Sequence, residues 1–322
     1  MRFRTALVVL TTILGPVVPA SAIDCSRTST GMVPLSDLGT GTYQGQEGGL
    51  YPGGSNERPA VHNLTGETLA RLAVPRDAAG EIDLEAGRTV LLTIGMSNTR
   101  SESASLVRLA ATDPLRHPQV TIVNGAQGGQ DAVRISDPAS AYWTFVDQQL
   151  TAAGVTPAQV QAIWLKEAIA GPRETFPADA ERLQSLLQDI VEILDARFPN
   201  MNLIYLSSRI YAGYATTTLN PEPYAYQSAF SVKWLIENQI DGTYPVVDPA
   251  TPALRAWLSW AAYLWADGLA ARSDGLTWLC SDFASDGVHP NTAGSDKVAG
   301  LLLDFFHADS TAKIWYSNGG IA

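Results

Sequence analysis

Thr89-Val90-Leu91-Leu92-Thr93-Ile94-Gly95-Met96-Ser97-Asn98-Thr99 decides how this chain is read. The run from Thr89 to Ile94 is apolar almost without interruption and stops at a glycine. That is the pattern of a strand buried on both faces, not of one with a wet side. Three runs repeat it: Gln119-Val120-Thr121-Ile122-Val123, Gln161-Ala162-Ile163-Trp164-Leu165 and Asn202-Leu203-Ile204-Tyr205-Leu206. Helical patterns stand among and after them, at 139–153, 178–197, 228–238 and 253–271, with a last helix over 292–306. In the second of these, Leu183, Leu186, Leu187, Ile190, Ile193 and Leu194 form one stripe at helical spacing. Strands that alternate with helices and are buried on both sides predict an α/β fold whose central sheet is mostly parallel and covered on both faces.

The chain has 322 residues, 46% of them hydrophobic, which is ample for a full core. No internal repeat or linker divides it, so one domain is expected over 23–322. Residues 23–60 form an irregular start, with seven glycines between Gly39 and Gly54. This glycine-rich stretch lacks the Gly-Lys-Ser/Thr ending of a phosphate loop. It reads either as coil over a sheet edge or as a cleft lined by Tyr43, Tyr51 and Asn56. With 21 basic and 32 acidic side chains the formal charge is −11, which argues against nucleic acid as a partner.

The first 22 residues read as a cleaved signal peptide. Arg2 and Arg4 precede a short apolar stretch broken by Pro16 and Pro19, and Ala20-Ser21-Ala22 fits a cleavage site. The alternative, an uncleaved anchor, needs about 20 unbroken apolar residues. Cleavage takes the basic residues from 21 to 19 and the charge from −11 to −13. A secreted or periplasmic product without stable membrane insertion follows. In such a compartment Cys25 and Cys280, the only two cysteines, are expected to form a disulfide rather than stay free.

Ligands of an open parallel sheet bind beyond the carboxyl ends of its strands. Ser97 follows the first run there, Asn124-Gly125-Ala126-Gln127-Gly128-Gly129-Gln130-Asp131 the second, and Lys166-Glu167-Ala168 the third. Asp286-Gly287-Val288-His289-Pro290-Asn291 precedes the last helix. These are the parts of a serine hydrolase. A serine hydroxyl needs a base to attack, and the base needs an orienting group. Ser97 is the candidate nucleophile, His289 its base and Asp286 the carboxylate that holds the imidazole tautomer. Gly125, Gly128 and Gly129 let backbone N–H groups approach a developing oxyanion.

The ordered set Gly95-Met96-Ser97-Asn98, Asn124 to Gly129 and Asp286-Gly287-Val288-His289-Pro290 resembles the SGNH/GDSL hydrolase family, over most of the chain from about residue 89 to 307. The resemblance implies a flavodoxin-like three-layer α/β/α sandwich and a cofactor-free, metal-free ester hydrolysis. It implies Ser97, Asp286 and His289 as the triad, and the amides of Ser97 and Gly129, with Gly128 beside it, as the oxyanion hole. Two positions depart from the family: Met96 stands where an Asp is usual, and the third block has no Asn. Lys166 is the first choice to replace that Asn, ahead of Glu167, Gln127 and Gln130. The family's Gly-x-Ser-x-Gly counterpart in α/β-hydrolases does not occur here.

Candidate substrate-binding residues are Asn98, Gln130, Glu167, Arg209 and Tyr211, the last two following the fourth strand. Tyr224, Tyr226, Phe230, Trp234, Trp257, Trp260, Tyr263, Trp265 and Trp278 make a ring-rich stretch. It reads as core first and as a stacking platform for sugars second. The expected substrate is a small-molecule or carbohydrate ester, with O-acyl groups on sugars ahead of lipase or general carboxylesterase chemistry. A non-hydrolytic glycan-binding protein is the rival of another class.

Overall fold

Five strands form one parallel sheet: β1 (Thr89–Gly95), β2 (Val120–Asn124), β3 (Val160–Lys166), β4 (Leu203–Leu206) and β5 (Trp257–Trp260). Their order across the sheet is β2-β1-β3-β4-β5. This is the flavodoxin-like winding, with the reversal of direction at β1/β3. The computed structural model describes residues 23–247 and 254–319; the expected signal peptide, residues 1–22, lies outside the described residues. All residues of β1, β3, β4 and β5 are buried, as the apolar runs require.

The main helices are α1 (Ala60–Ala70), α2 (Ser97–Ala110), α3 (Ala141–Ala152), α4 (Ala178–Arg197), α5 (Tyr224–Ile240) and α6 (Thr292–Ala308). α2 packs on α6 and α4 packs on α5, one pair to each layer around the sheet. α4 buries Leu183, Leu187, Ile190 and Leu194, the inner part of the stripe read from its sequence, together with Val191. α6 begins where Asn291 caps it, accepting from the N–H groups of Ala293 and Gly294. The sandwich is therefore the expected one. None of the described helices is long and apolar enough to cross a membrane.

One expected helix is absent. Within 253–271 the chain forms strand β5 and then coil, and residues 248–253 lie outside the described residues. Trp257-Leu258-Ser259-Trp260 is a four-residue apolar run, too short for its periodicity to separate strand from helix. The rings of this region are core: Trp257, Trp260, Tyr263, Trp265 and Trp278 are all buried, so they offer no stacking platform.

β5 is an edge strand, and the glycine-rich segment covers it. Trp260 Nε1 donates to Leu50 O at 2.7 Å, and the Tyr51 hydroxyl meets Ser259 Oγ at 3.0 Å. Tyr51 is buried here, and Tyr43 packs against Tyr226, Phe176 and Phe230. Covering removes the exposed ladder that an edge strand otherwise presents. His62 on α1 completes the cover: its Nε2–H donates to Leu258 O at 2.8 Å and its ring stacks on Trp257.

The N-terminal segment then crosses to the last loop. Cys25 and Cys280 form a disulfide with Cα atoms 5.5 Å apart, and Ile23 N–H donates to Ser285 O at 2.7 Å.

Two measurements test these supports. Burial pushes the His62 pKa down to about 4, below the ordinary 6.5, so the folded state keeps the ring neutral while the unfolded chain protonates. Stability from this group is present above pH 6.5 and is lost as pH falls toward 4, by up to about 3 kcal/mol. Urea titrations of wild type and His62→Gln between pH 7 and 4.5 are expected to show a shallower acid decline in the variant. The disulfide closes a 255-residue separation, for which chain entropy gives about 5 kcal/mol. The non-reduced protein is expected to weigh two hydrogens less than the reduced form, and Cys25→Ser to unfold at markedly lower urea. Equal masses would refute the bridge.

Candidate active site

Ser97 begins α2 two residues past the end of β1. Gly95 has φ 158°, and a Cβ there would stand 2.3 Å from Lys166 O and 2.4 Å from Thr99 Oγ1. Only glycine lets β1 pass β3 this closely before the chain turns into a helix. Thr99 Oγ1 then donates to Lys166 O at 2.7 Å and pins the first turn to the sheet. Met96, not Ser97, occupies the N-cap position, and it caps nothing with its side chain. The Ser97 hydroxyl is left for another partner.

That partner is His289. Ser97 Oγ lies 2.7 Å from His289 Nε2, and His289 Nδ1 lies 2.5 Å from Asp286 Oδ2. The carboxylate faces Nδ1, so Nδ1 carries the proton and Nε2 is free to accept from the serine. The loop that holds this pair is tied on several sides. Asp286 Oδ1 accepts from the N–H groups of Val288 and His289, and Asn98 Nδ2 donates to Val288 O. Asn291 Nδ2 reaches back to Ser281 O and Phe283 O. Gly287 has φ 70°, and a Cβ would meet Tyr214 O at 2.3 Å. Burial raises the Asp286 pKa, but those N–H and imidazole hydrogen bonds outweigh it and hold the carboxyl below its ordinary value.

Ser97 and His289 open into a cavity of about 240 Å3, with Asn98, Gly129, Arg209 and Asn220 among its walls. Gly128 is beside Ser97: an added Cβ would stand 3.8 Å from the serine Cβ. The structure thus gathers Ser97, Asp286, His289, Gly128, Gly129, Asn98 and Arg209 from the sequence-based set.

It does not gather the rest. Lys166 is fully buried, its ammonium is held by both Glu102 oxygens at 2.5 and 2.6 Å, and it is no part of the cavity wall. Glu102 was hidden in the sequence because it lies on a mostly polar helix. Glu167 is buried behind the wall, with Oε2 accepting from Ala168 N–H and Oε1 without a partner. Burial, with a smaller push from Asp131, drives its carboxyl well above the usual range. Gln130 is no part of the cavity wall. Tyr211 donates to Arg27 O and packs on Tyr214 and Trp265, which makes it an anchor for the N-terminal segment. Asp131, Ala170, Leu219 and Asn220 line the cavity without having been singled out. Asn220 has φ 48°, a conformation no local pattern announced.

No protein-family model and no curated protein matches the chain. Solved structures similar to it include an acetyl-xylooligosaccharide esterase from a Geobacillus species (16% identical, 67% of this chain and 93% of that one, TM-score 0.40). A GDSL-like lipase from Bacteroides thetaiotaomicron is another (12%, 67% and 86%, TM-score 0.37). A third is a protein from Bacillus subtilis (12%, TM-score 0.37), where the match takes in 70% of this chain and 58% of that protein's length.

The Lys166–Glu102 pair invites a direct test. Removing one partner strands the other's charge in the interior, so Lys166→Met is expected to cost about 3–5 kcal/mol. The double variant Lys166→Met/Glu102→Leu is expected to recover most of that loss. Urea denaturation of the single and double variants provides the measurement; equal losses in both would show that the charge pairing is not what the site depends on.

Proposed function

We propose that this protein is an exported serine ester hydrolase of SGNH/GDSL type. The observation that carries the reading is the continuous chain Ser97 Oγ–His289 Nε2–His289 Nδ1–Asp286 Oδ2, at 2.7 and 2.5 Å, opening into a cavity. Ser97 Oγ attacks the ester carbonyl while its proton passes to His289 Nε2. Asp286 stabilises the imidazolium that forms. The N–H groups of Ser97 and Gly129 are the donors for the tetrahedral oxyanion. His289 returns the proton to the leaving alcohol, giving an acyl-Ser97 intermediate. A water then gives its proton to His289 and attacks the acyl carbon, and the acid and free Ser97 are released.

A cavity of about 240 Å3 favours short acyl groups over long chains. O-acyl groups on carbohydrates remain the leading substrates, with general carboxylesterase or lipase activity next; the alcohol is not read from the rings, since those are core. Export is supported by the leader pattern and by a disulfide, which persists in oxidising compartments. A glycan-binding protein without catalysis has no need of a serine aligned on a histidine and a carboxylate.

Wild type is expected to hydrolyse p-nitrophenyl acetate and acetylated sugars faster than lauroyl esters. Ser97→Ala is expected to lower kcat by about 10⁴-fold or more, and Asp286→Asn by about 10⁴-fold. A fluorophosphonate is expected to add to Ser97, read by peptide mass. Unchanged turnover in Ser97→Ala would overturn the site; no turnover of any ester, and no adduct, would return the glycan-binding reading.

A further inference from the structure

The cavity wall holds a side chain that the hydrolysis above does not use. Arg209 follows β4 and is 1% exposed, yet Nε and Nη2 find no hydrogen-bond partner among the described residues. Its guanidinium also forms no ion pair among the described residues. A buried charge is normally paired and hydrogen-bonded, because leaving water costs it several kcal/mol.

The acidic groups around it hold other partners, and of these Glu167 alone keeps one oxygen, Oε1, without a partner among the described residues. Glu102 holds Lys166 through both oxygens, and Asp286 holds His289. Glu222 accepts from Trp265 Nε1 and from the N–H groups of Ala212 and Tyr226. Glu167 Oε2 accepts from Ala168 N–H, and burial pushes its carboxyl well above the usual range. Asp131, also on the wall, accepts from Ala170 N–H and faces Arg134 at 3.7 Å. Among the described residues Arg209 is thus the one cation of the wall, in a cavity that also exposes Ser97 and His289.

We propose that the cavity is built for an ester that also carries a carboxylate, and that Arg209 is the receptor for that carboxylate. This rests on the ester hydrolase reading and adds the charge of the substrate. A guanidinium presents paired N–H donors in a fixed fork that matches a carboxylate in two parallel hydrogen bonds. A group charged before reaction answers the unpaired arginine in the resting complex. A developing oxyanion does not, and it already has two backbone donors. The carboxylate can sit on the acyl side or on the alcohol side of the ester.

Two substrate pairs distinguish those sides: 4-nitrophenyl hemisuccinate against 4-nitrophenyl butyrate, and acetylated glucuronate against acetylated glucose. In at least one pair, wild type is expected to favour the anionic member in kcat/KM by about 10–100-fold, the worth of a charge-assisted hydrogen bond. Arg209→Met is expected to abolish that preference, mainly through a raised KM for the anionic ester, with the neutral ester losing much less kcat/KM than the anionic one. Arg209→Lys, which keeps the charge, is expected to retain part of the preference, so a folding defect is told apart. Neutral members preferred in both pairs, or an equal fall on charged and neutral esters in Arg209→Met, would overturn the carboxylate site. Should wild type hydrolyse no ester and take no fluorophosphonate, the hydrolase reading fails by itself. Calorimetry with succinate and glucuronate then decides the site: binding lost in Arg209→Met upholds it, and no binding to wild type overturns it.

Discussion

Five parallel strands end on the same side of one sheet, and everything at the site depends on that constraint. Parallel pairing needs a crossover between strands, and each crossover carries the chain from the carboxyl end of one strand back to the amino end of the next. Loops that are far apart in sequence therefore meet at the carboxyl ends. Ser97 comes from β1, Gly129 from the loop after β2, Arg209 from the loop after β4, and His289 from the loop ahead of α6. The packing of α2 on α6 then sets the serine against the histidine, since each residue lies at or just before the start of its helix.

Beneath that surface the interior is unusually rich in charge. Glu102, Lys166, Glu167 and Arg209 are all at most 1% exposed. Lys166 and Glu102 satisfy one another, and burial pushes Lys166 down to about 8 against the pull of Glu102. Such a group in a core costs stability unless geometry repays it. Lys166 lies at the end of β3 and Glu102 on α2, so their pairing ties the nucleophile's helix to the sheet, while Arg209 lies on the cavity wall.

Most of the architecture was legible along the chain. Fully buried strands announce themselves as unbroken apolar runs, and β1 to β4 were read within a residue or two of where they lie. α2 was not read as a helix, because most of its buried residues are polar (Asn98, Thr99, Glu102, Ser103 and Ser105, beside Leu106 and Ala110) and no apolar stripe forms. β5 was read as helix because a four-residue run between tryptophans carries no decisive period. The aromatic stretch was correctly weighted toward core. At the site, Ser97, Asp286 and His289 were singled out from residue type, from the place of Ser97 after a strand and of Asp286 and His289 ahead of the last helix, and from the family resemblance, and the structure brings the three within hydrogen-bond distance. Where Lys166 and Tyr211 point was not legible: each is a polar residue at a strand's end, and whether such a residue turns into the cavity or back into the core depends on partners such as Glu102 and the Arg27 carbonyl.

The amino-acid sequence by itself determined the parallel sandwich, the pairing of two cysteines once export is assumed, and the three residues of the hydrogen-bonded chain. It did so because burial and backbone chemistry act locally: an apolar run, a glycine at a close approach, and a carboxylate three residues from an imidazole need no knowledge of the rest. Only the tertiary structure decided which charges are spent and which are free. Glu102 neutralises Lys166 across 64 residues of chain, while Arg209 keeps its charge unpaired at the cavity wall. Pairing of that kind is a matter of distance in space, and distance in space is what a linear reading lacks.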